Sequence, residues 1–160
     1  MSIVLARIDN RFVHGQILEG WIPYTKATCI IVASDAAARN PVQKMAMETC
    51  GTCGLSIQTL EVENAVKRLL GGEFDNSRVV LLFGTTEDAL KAVKLGLKLE
   101  ELNVGNIHFC PGKLHVSPSV SVDTADLENL NALTDKGVKV VMRCVPSDAP
   151  RDIWEVVKRK

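Results

Sequence analysis

Arg78-Val79-Val80-Leu81-Leu82-Phe83, followed one residue later by Thr85-Thr86-Glu87-Asp88, decides the fold. The first six residues are nearly all apolar and do not alternate with polar ones, as in a strand covered on both faces. The second group carries hydroxyls and then carboxylates, the chemistry that caps and starts a helix, here Ala89 to Leu95. A doubly covered strand running straight into a helix is the unit of a parallel α/β sheet. The same alternation extends in both directions. Ile3-Val4-Leu5-Ala6, Thr28 to Ala33 and Leu55 to Leu60 read as earlier strands. Leu102-Asn103-Val104, Ile107-His108-Phe109, Val116 to Val122 and Val138 to Arg143 read as later ones. Helical segments fill the gaps: Gly15 to Pro23, a helix opened by Asn40-Pro41, and Glu61 to Leu70 closed by Gly71-Gly72. Two more run from Asp123-Thr124 to Asp135, with Gly137 beyond, and from Pro150 into Lys158-Arg159-Lys160.

This pattern predicts an α/β fold: an open, mainly parallel sheet with helices on both faces, since right-handed crossovers place them there. The strands between Leu102 and Val122 are too close for helices, so residues 102–122 are expected to hold an antiparallel hairpin or edge. No linker or repeat divides the chain, and residues 1–160 are read as one domain.

Bulk properties narrow the function. The chain has 160 residues, 46% hydrophobic and 24% charged, as in an ordinary globular protein. Lys plus Arg and Asp plus Glu number 19 each, so a nucleic-acid partner, which favours a distinctly basic domain, is not expected. No apolar run approaches the roughly 18 residues of a membrane span, and the N-terminus lacks the pattern of a signal peptide. The expected location is the cytoplasm, where the five cysteines would be reduced thiols.

Arg7-Ile8-Asp9-Asn10-Arg11-Phe12-Val13-His14-Gly15-Gln16 leaves the first strand at the edge of the sheet where ligands bind. Arg7 and Arg11 could each donate paired hydrogen bonds to a phosphoryl group, and His14 could carry that group covalently. Asp9 could accept a bond from one ring nitrogen, fix the tautomer and leave the other nitrogen as nucleophile. Gly15 removes a side chain where the backbone meets the ligand, and a helix starting at Gly15 or Gln16 would add its N-terminal amides. No metal or other cofactor is needed, because the arginines supply the charge stabilisation. A purely structural reading instead pairs Arg7 and Arg11 with carboxylates, makes Asp9 a turn residue and makes His14 a cap.

Arg-x-Asp-x-Arg-x-x-His-Gly-Gln resembles the active-site loop of IIB components of the sugar phosphotransferase system, mannose/fructose/sorbose family. The resemblance runs along nearly the whole chain through Gly20-Trp21, Lys26-Ala27, Ile30-Ile31-Val32, Asn40 to Met45, Leu81-Leu82-Phe83, Asn103-Val104-Gly105, Gly112-Lys113 and Arg143-x-Val145-Pro146. It implies that His14 is phosphorylated through Nδ1, that Arg7 and Arg11 hold the phosphoryl group, and that Asp9 supports the loop. Gly15 and Gln16 complete the phosphate site. The implied partners are a IIA phosphocarrier as donor, a sugar as acceptor, and the membrane IIC/IID permease that binds the sugar. The chain departs from the family at Gln43-Lys44, where a basic pair is common and only Lys44 can supply charge. It departs again at Asn106-Ile107, where Gly-Met is common.

Two alternatives stand beside this reading. One is a regulatory module whose phosphorylated His14 controls binding to another protein without transport. The other is a phosphatase or mutase with a phosphohistidine intermediate. Val13-His14-Gly15 superficially resembles the Arg-His-Gly of that group, although Val13 stands in place of the arginine. Cys50-Gly51-Thr52-Cys53 has redox spacing but lies at the end of a predicted helix, so free thiols are expected. His108 and His115 are read as surface or core residues, and Trp21 as a partner anchor or a core residue.

Overall fold

A computed structural model describes residues 2–158. Seven strands form the main sheet in the order β3-β2-β4-β1-β5-β8-β9. They are β1 (Ser2–Asp9), β2 (Cys29–Ala33), β3 (Ser56–Leu60), β4 (Arg78–Phe83), β5 (Glu101–Asn106), β8 (Lys139–Met142) and β9 (Arg151–Asp152). All neighbours are parallel except β9, which runs antiparallel to β8. The helices are α1 (Ile22–Thr25), α2 (Asp35–Ala38), α3 (Pro41–Glu48), α4 (Val62–Leu70), α5 (Thr86–Lys94), α6 (Thr124–Asp135) and α7 (Ile153–Lys158).

The decisive stretch behaves as its composition requires. Val79 to Phe83 are wholly buried, and alternate residues enter different cores. Val79, Leu81 and Phe83 pack with α4, α5, α6 and α7, while Val80 and Leu82 pack with Ile17, Trp21 and Met47 on the other face. Thr85 caps α5 by accepting from the Asp88 amide at 3.0 Å. In β1, Ala6 and Ile8 enter the larger core, so the period of two sends Arg7 and Asp9 to the face that carries Trp21.

Sheet order places the site. β1 lies between β4 and β5. The chain leaves β1 toward β2 on one side and leaves β5 toward β8 on the other, so a crevice opens at their carboxyl ends.

Four local expectations are corrected. The segment after β1 is a six-residue π-helical turn, Gln16–Trp21, followed by the single turn α1. Pro23 has no N–H to continue the ladder and Gly20 is a weak helix former, which accounts for the interruption. Val116 to Val122 is a hairpin rather than one strand: β6 (Leu114–Ser117) pairs antiparallel with β7 (Val120–Val122), and Pro118-Ser119 makes the turn. Of Ile107-His108-Phe109, only Ile107 forms a bridge, to Val120. The last helix opens at Ile153 instead of Pro150, because Arg151-Asp152 first pair with Met142 and Val141. Asp152 then accepts from the Trp154 amide. Arg159 and Lys160, read as the end of that helix, lie outside the described residues.

The hairpin expected within residues 102–122 therefore lies beyond β5 as a separate two-stranded sheet. All five cysteines are free, with Cys50 and Cys53 exposed after α3.

Candidate functional site

The loop after β1 turns back on itself, and two residues make that turn. Asn10 is tied to β5 by its amide, which bonds to the Asn106 carbonyl at 3.2 Å. Its side-chain oxygen accepts from the Asn106 side-chain amide. Phe12 takes a left-handed conformation (φ 57°), and its amide returns to the Asp9 carbonyl at 3.0 Å. That backbone costs a side-chain-bearing residue about 1–2 kcal/mol, offset here by burial of the Phe12 ring. Gly84 makes the space, since a Cβ there would lie 2.7 Å from Phe12 Cζ.

The reversal delivers His14 to Asp9. His14 Nε2 lies 2.9 Å from Asp9 Oδ2, with the His14 side chain 17% exposed and Asp9 enclosed. The same oxygen accepts from Arg7 Nε at 3.2 Å and Arg7 Nη2 at 3.0 Å. Asp9 Oδ1 accepts from the Arg11 amide at 3.1 Å and from Arg11 Nε at 3.4 Å. Burial alone pushes the Asp9 carboxyl up. The hydrogen bond from His14 and the charge of Arg7 outweigh it and hold Asp9 below the ordinary carboxylate value. An ionised carboxylate only accepts, so Nε2 carries the hydrogen of that bond. Nδ1 is left without a protein partner among the described residues.

The two arginines have different surroundings. Arg7 is completely enclosed, and it also donates from Nη1 to the Arg143 carbonyl at 2.8 Å. Its guanidinium also lies over Trp21, 5.4 Å from the ring centre. Burial lowers its pKa, opposed by Asp9, and it remains a cation at any ordinary pH. Arg11 is 43% exposed and reaches Gln16 Oε1 through Nη2 at 2.9 Å. It is the accessible cation beside the ring.

Gln16 thus joins the site through its side chain. The amides of Ile17 and Leu18 both bond to the His14 carbonyl at 3.0 Å, and so are already engaged. Gly15 is helical (φ −53°, ψ −44°), and a Cβ there would meet nothing within 4 Å. Open space therefore adjoins His14. Lys44 stands apart on α3, lining a shallow groove with Pro41, Met45, Glu48 and Thr49. His115 lies on the hairpin, stacked on Phe109 and bonded to Ser121.

Several residues at the site were not singled out by the charge pattern of the loop. Trp21 donates to the Cys144 carbonyl at 3.1 Å, and Arg143 stacks on the same ring at 5.4 Å. The Arg143 amide donates to Asn103 Oδ1 at 3.0 Å. Gly105 leaves room for Arg7, as a Cβ there would lie 1.9 Å from Arg7 Cζ. A glycine inside a strand is the signal that marks such a close approach.

Comparison with known proteins identifies the family of the whole chain. Residues 3–160 match the family described as PTS system sorbose subfamily IIB component. The chain is 34% identical over 158 residues to the fructose-specific EIIB component of Bacillus subtilis, covering 99% of this chain and 97% of that protein. It is 31% identical over 159 residues to the mannose-specific EIIAB component of Escherichia coli, covering 99% of this chain and 49% of that longer protein. Its fold superposes on the IIBSor domain of the sorbose permease from Klebsiella pneumoniae with a TM-score of 0.94, at 29% identity and over 100% of this chain and 98% of that one. The chain belongs to the sorbose-subfamily IIB components of the sugar phosphotransferase system, and is a phosphotransferase of that system.

Proposed function

We propose that His14 is the phosphocarrier of this chain: Nδ1 accepts a phosphoryl group from a phosphohistidine on a IIA partner and passes it to a sugar during uptake. The observation that carries this reading is the 2.9 Å bond from His14 Nε2 to an ionised, enclosed Asp9. It holds the ring proton on Nε2 and leaves the Nδ1 lone pair to attack. On arrival, the donor's P–N bond breaks and the Nδ1–P bond forms. The Nε2 proton stays on its bond to Asp9, so this chain moves no proton. On departure, the Nδ1–P bond breaks, the sugar oxygen takes the phosphoryl group, and its hydroxyl proton goes to a base outside this chain.

Arg11 is the side chain placed to follow the charge spread over the transferring oxygens, because it is exposed and only loosely held to Asp9. The space beside Gly15 would receive the phosphoryl group. Gln16 steadies Arg11 through its Oε1, and Lys44 would serve at the rim of the docking face. A IIA donor is supported by the relative in which EIIA and EIIB are one chain. The acceptor sugar would be held by membrane IIC/IID subunits, with this chain working from the cytoplasm. No helix among the described residues is long and apolar enough to cross a membrane itself.

The test is transfer in a reconstituted chain of phosphoenolpyruvate, enzyme I, HPr and a fructose-type IIA. Wild type is expected to gain one acid-labile phosphoryl group, and His14→Ala none. Equal labelling of both proteins would refute the assignment.

A further inference from the structure

Arg7 is, among the described residues, the largest side chain with no exposure. Enclosing a cation is costly, and a slot built for one calls for a reason. The slot is specific. Gly105 forms one wall, and a Cβ there would lie 1.9 Å from Cζ, 2.2 Å from Nη2 and 2.3 Å from Nε. The Trp21 ring forms another wall, 5.4 Å from Cζ at its centre. The Arg143 carbonyl takes Nη1 at 2.8 Å. What remains of the fork points at one atom, Asp9 Oδ2, which is also the atom bonded to His14 Nε2.

We propose that Arg7 is a positioning residue that acts on His14 through Asp9, keeping Oδ2 an acceptor and so directing phosphorylation to Nδ1. The inference rests on His14 Nδ1 being the phosphoryl acceptor. A carboxylate can only accept the ring hydrogen, whereas a carboxylic acid can donate one. With the cation gone, one of the influences that offset burial is removed, and the balance at Asp9 shifts toward the neutral acid. Its O–H then donates to Nε2, the ring proton moves to Nδ1, and the attacking lone pair is lost. In reaching that state Asp9 takes up one proton from solvent, while the ring keeps a single hydrogen that has moved from Nε2 to Nδ1.

The other charged groups facing this pair do not replace Arg7. Arg11 engages the opposite oxygen, Oδ1, from a half-exposed position. The Arg143 guanidinium is stacked on Trp21 and Tyr24 and bonded to the Asp148 carbonyl. The Cys144 thiol lies near Arg7 and bonds weakly to Gln16 at 3.8 Å.

The experiment compares wild type, Arg7→Met, Arg7→Lys and Gly105→Ala. Two quantities are read: the His14 tautomer by nitrogen-15 NMR without any phosphoryl donor, and phosphotransfer from IIA against pH. Wild type is expected to show the Nε2–H tautomer and phosphorylation at Nδ1. Arg7→Met is expected to lose that tautomer, and its acid limb of transfer should move up by at least about one pH unit, a tenfold loss of rate at each pH on the limb. Arg7→Lys restores a cation and should recover the tautomer. Gly105→Ala keeps Arg7 in the chain but fills its slot, and should reproduce Arg7→Met.

A folded Arg7→Met with the wild-type tautomer and pH limb overturns the proposal. If Arg7→Met does not fold, Gly105→Ala decides in its place, and an unchanged tautomer there overturns the proposal equally. Absence of label on wild-type His14 would refute the phosphocarrier assignment instead, while the tautomer measurement still judges Arg7.

Discussion

Replacing Asp9 by asparagine changes one oxygen to an NH2 group and removes one charge, with almost no change of shape. Asp9 Oδ2 accepts three bonds, two from Arg7 and one from His14, and Oδ1 accepts two from Arg11. An amide can put its oxygen at only one of these places. With oxygen toward Arg7, the NH2 group faces the two Arg11 donors and both bonds are lost. With oxygen toward Arg11, the NH2 group faces Arg7, leaves that enclosed cation unpaired and donates to His14 Nε2, which abolishes the free lone pair on Nδ1.

The first arrangement wins, because Arg7 is fully buried and Arg11 is 43% exposed. Even so, Arg7 loses the charge that balances it. Breaking a buried pair costs about 3–5 kcal/mol, a large share of the roughly 5–15 kcal/mol that holds a domain folded. Urea denaturation at neutral pH should therefore show Asp9→Asn folded but with its midpoint lowered by more than about 1 M.

The pH dependence has a definite sign. Asp9 has a lowered folded pKa, so its contribution is complete above the unfolded value of 3.8 and is lost as pH falls through the lower folded value. The stability gap between wild type and Asp9→Asn should be full near neutrality and close in that acid window. A variant as stable as wild type at neutral pH, or a gap independent of pH, would refute the account of Asp9 as an ionised hub.

Two further outcomes follow from the same geometry. Arg11→Ala should leave stability within about 1 kcal/mol of wild type, because its ion pair is half exposed. Its transfer rate should fall roughly a hundredfold, as when a transition-state donor is removed; unchanged kinetics in the IIA assay would take Arg11 out of the mechanism. Gly15→Ala places a methyl group in open space on helical backbone. Stability should hold or rise by about 0.4–1 kcal/mol, while transfer slows if the phosphoryl group uses that space, and thermal melting together with the labelling rate separates the two effects.

Much of this was legible along the chain. The uninterrupted apolar run at Val79–Phe83 needs cover on both faces, and both cores supply it. The caps at Asn40, Thr85 and Asp123 are where hydroxyl, amide or carboxylate side chains precede helical segments. The cluster of Arg7, Asp9, Arg11, His14 and Gln16 was legible too, because all five lie within ten residues and one loop reversal joins them. The edge strand β9 was not legible: Arg151-Asp152 pair with β8 only because the intervening loop returns them there. The π-helical turn was missed because Pro23 and Gly20 act on hydrogen-bond register, which hydrophobic period does not report.

Composition and spacing thus determined the parallel sheet, its two covered faces and the loop that carries the histidine, since each depends on residues near one another in sequence. The division of labour between Arg7 and Arg11 was decided only in three dimensions. Four residues apart, they are chemically identical in the sequence. Strand β1 carries Arg7 into a slot closed by Gly105, Trp21 and the Arg143 carbonyl, while the loop leaves Arg11 in water. Those walls come from distant parts of the chain, and burial, which sets what each cation can touch, is a property of their meeting.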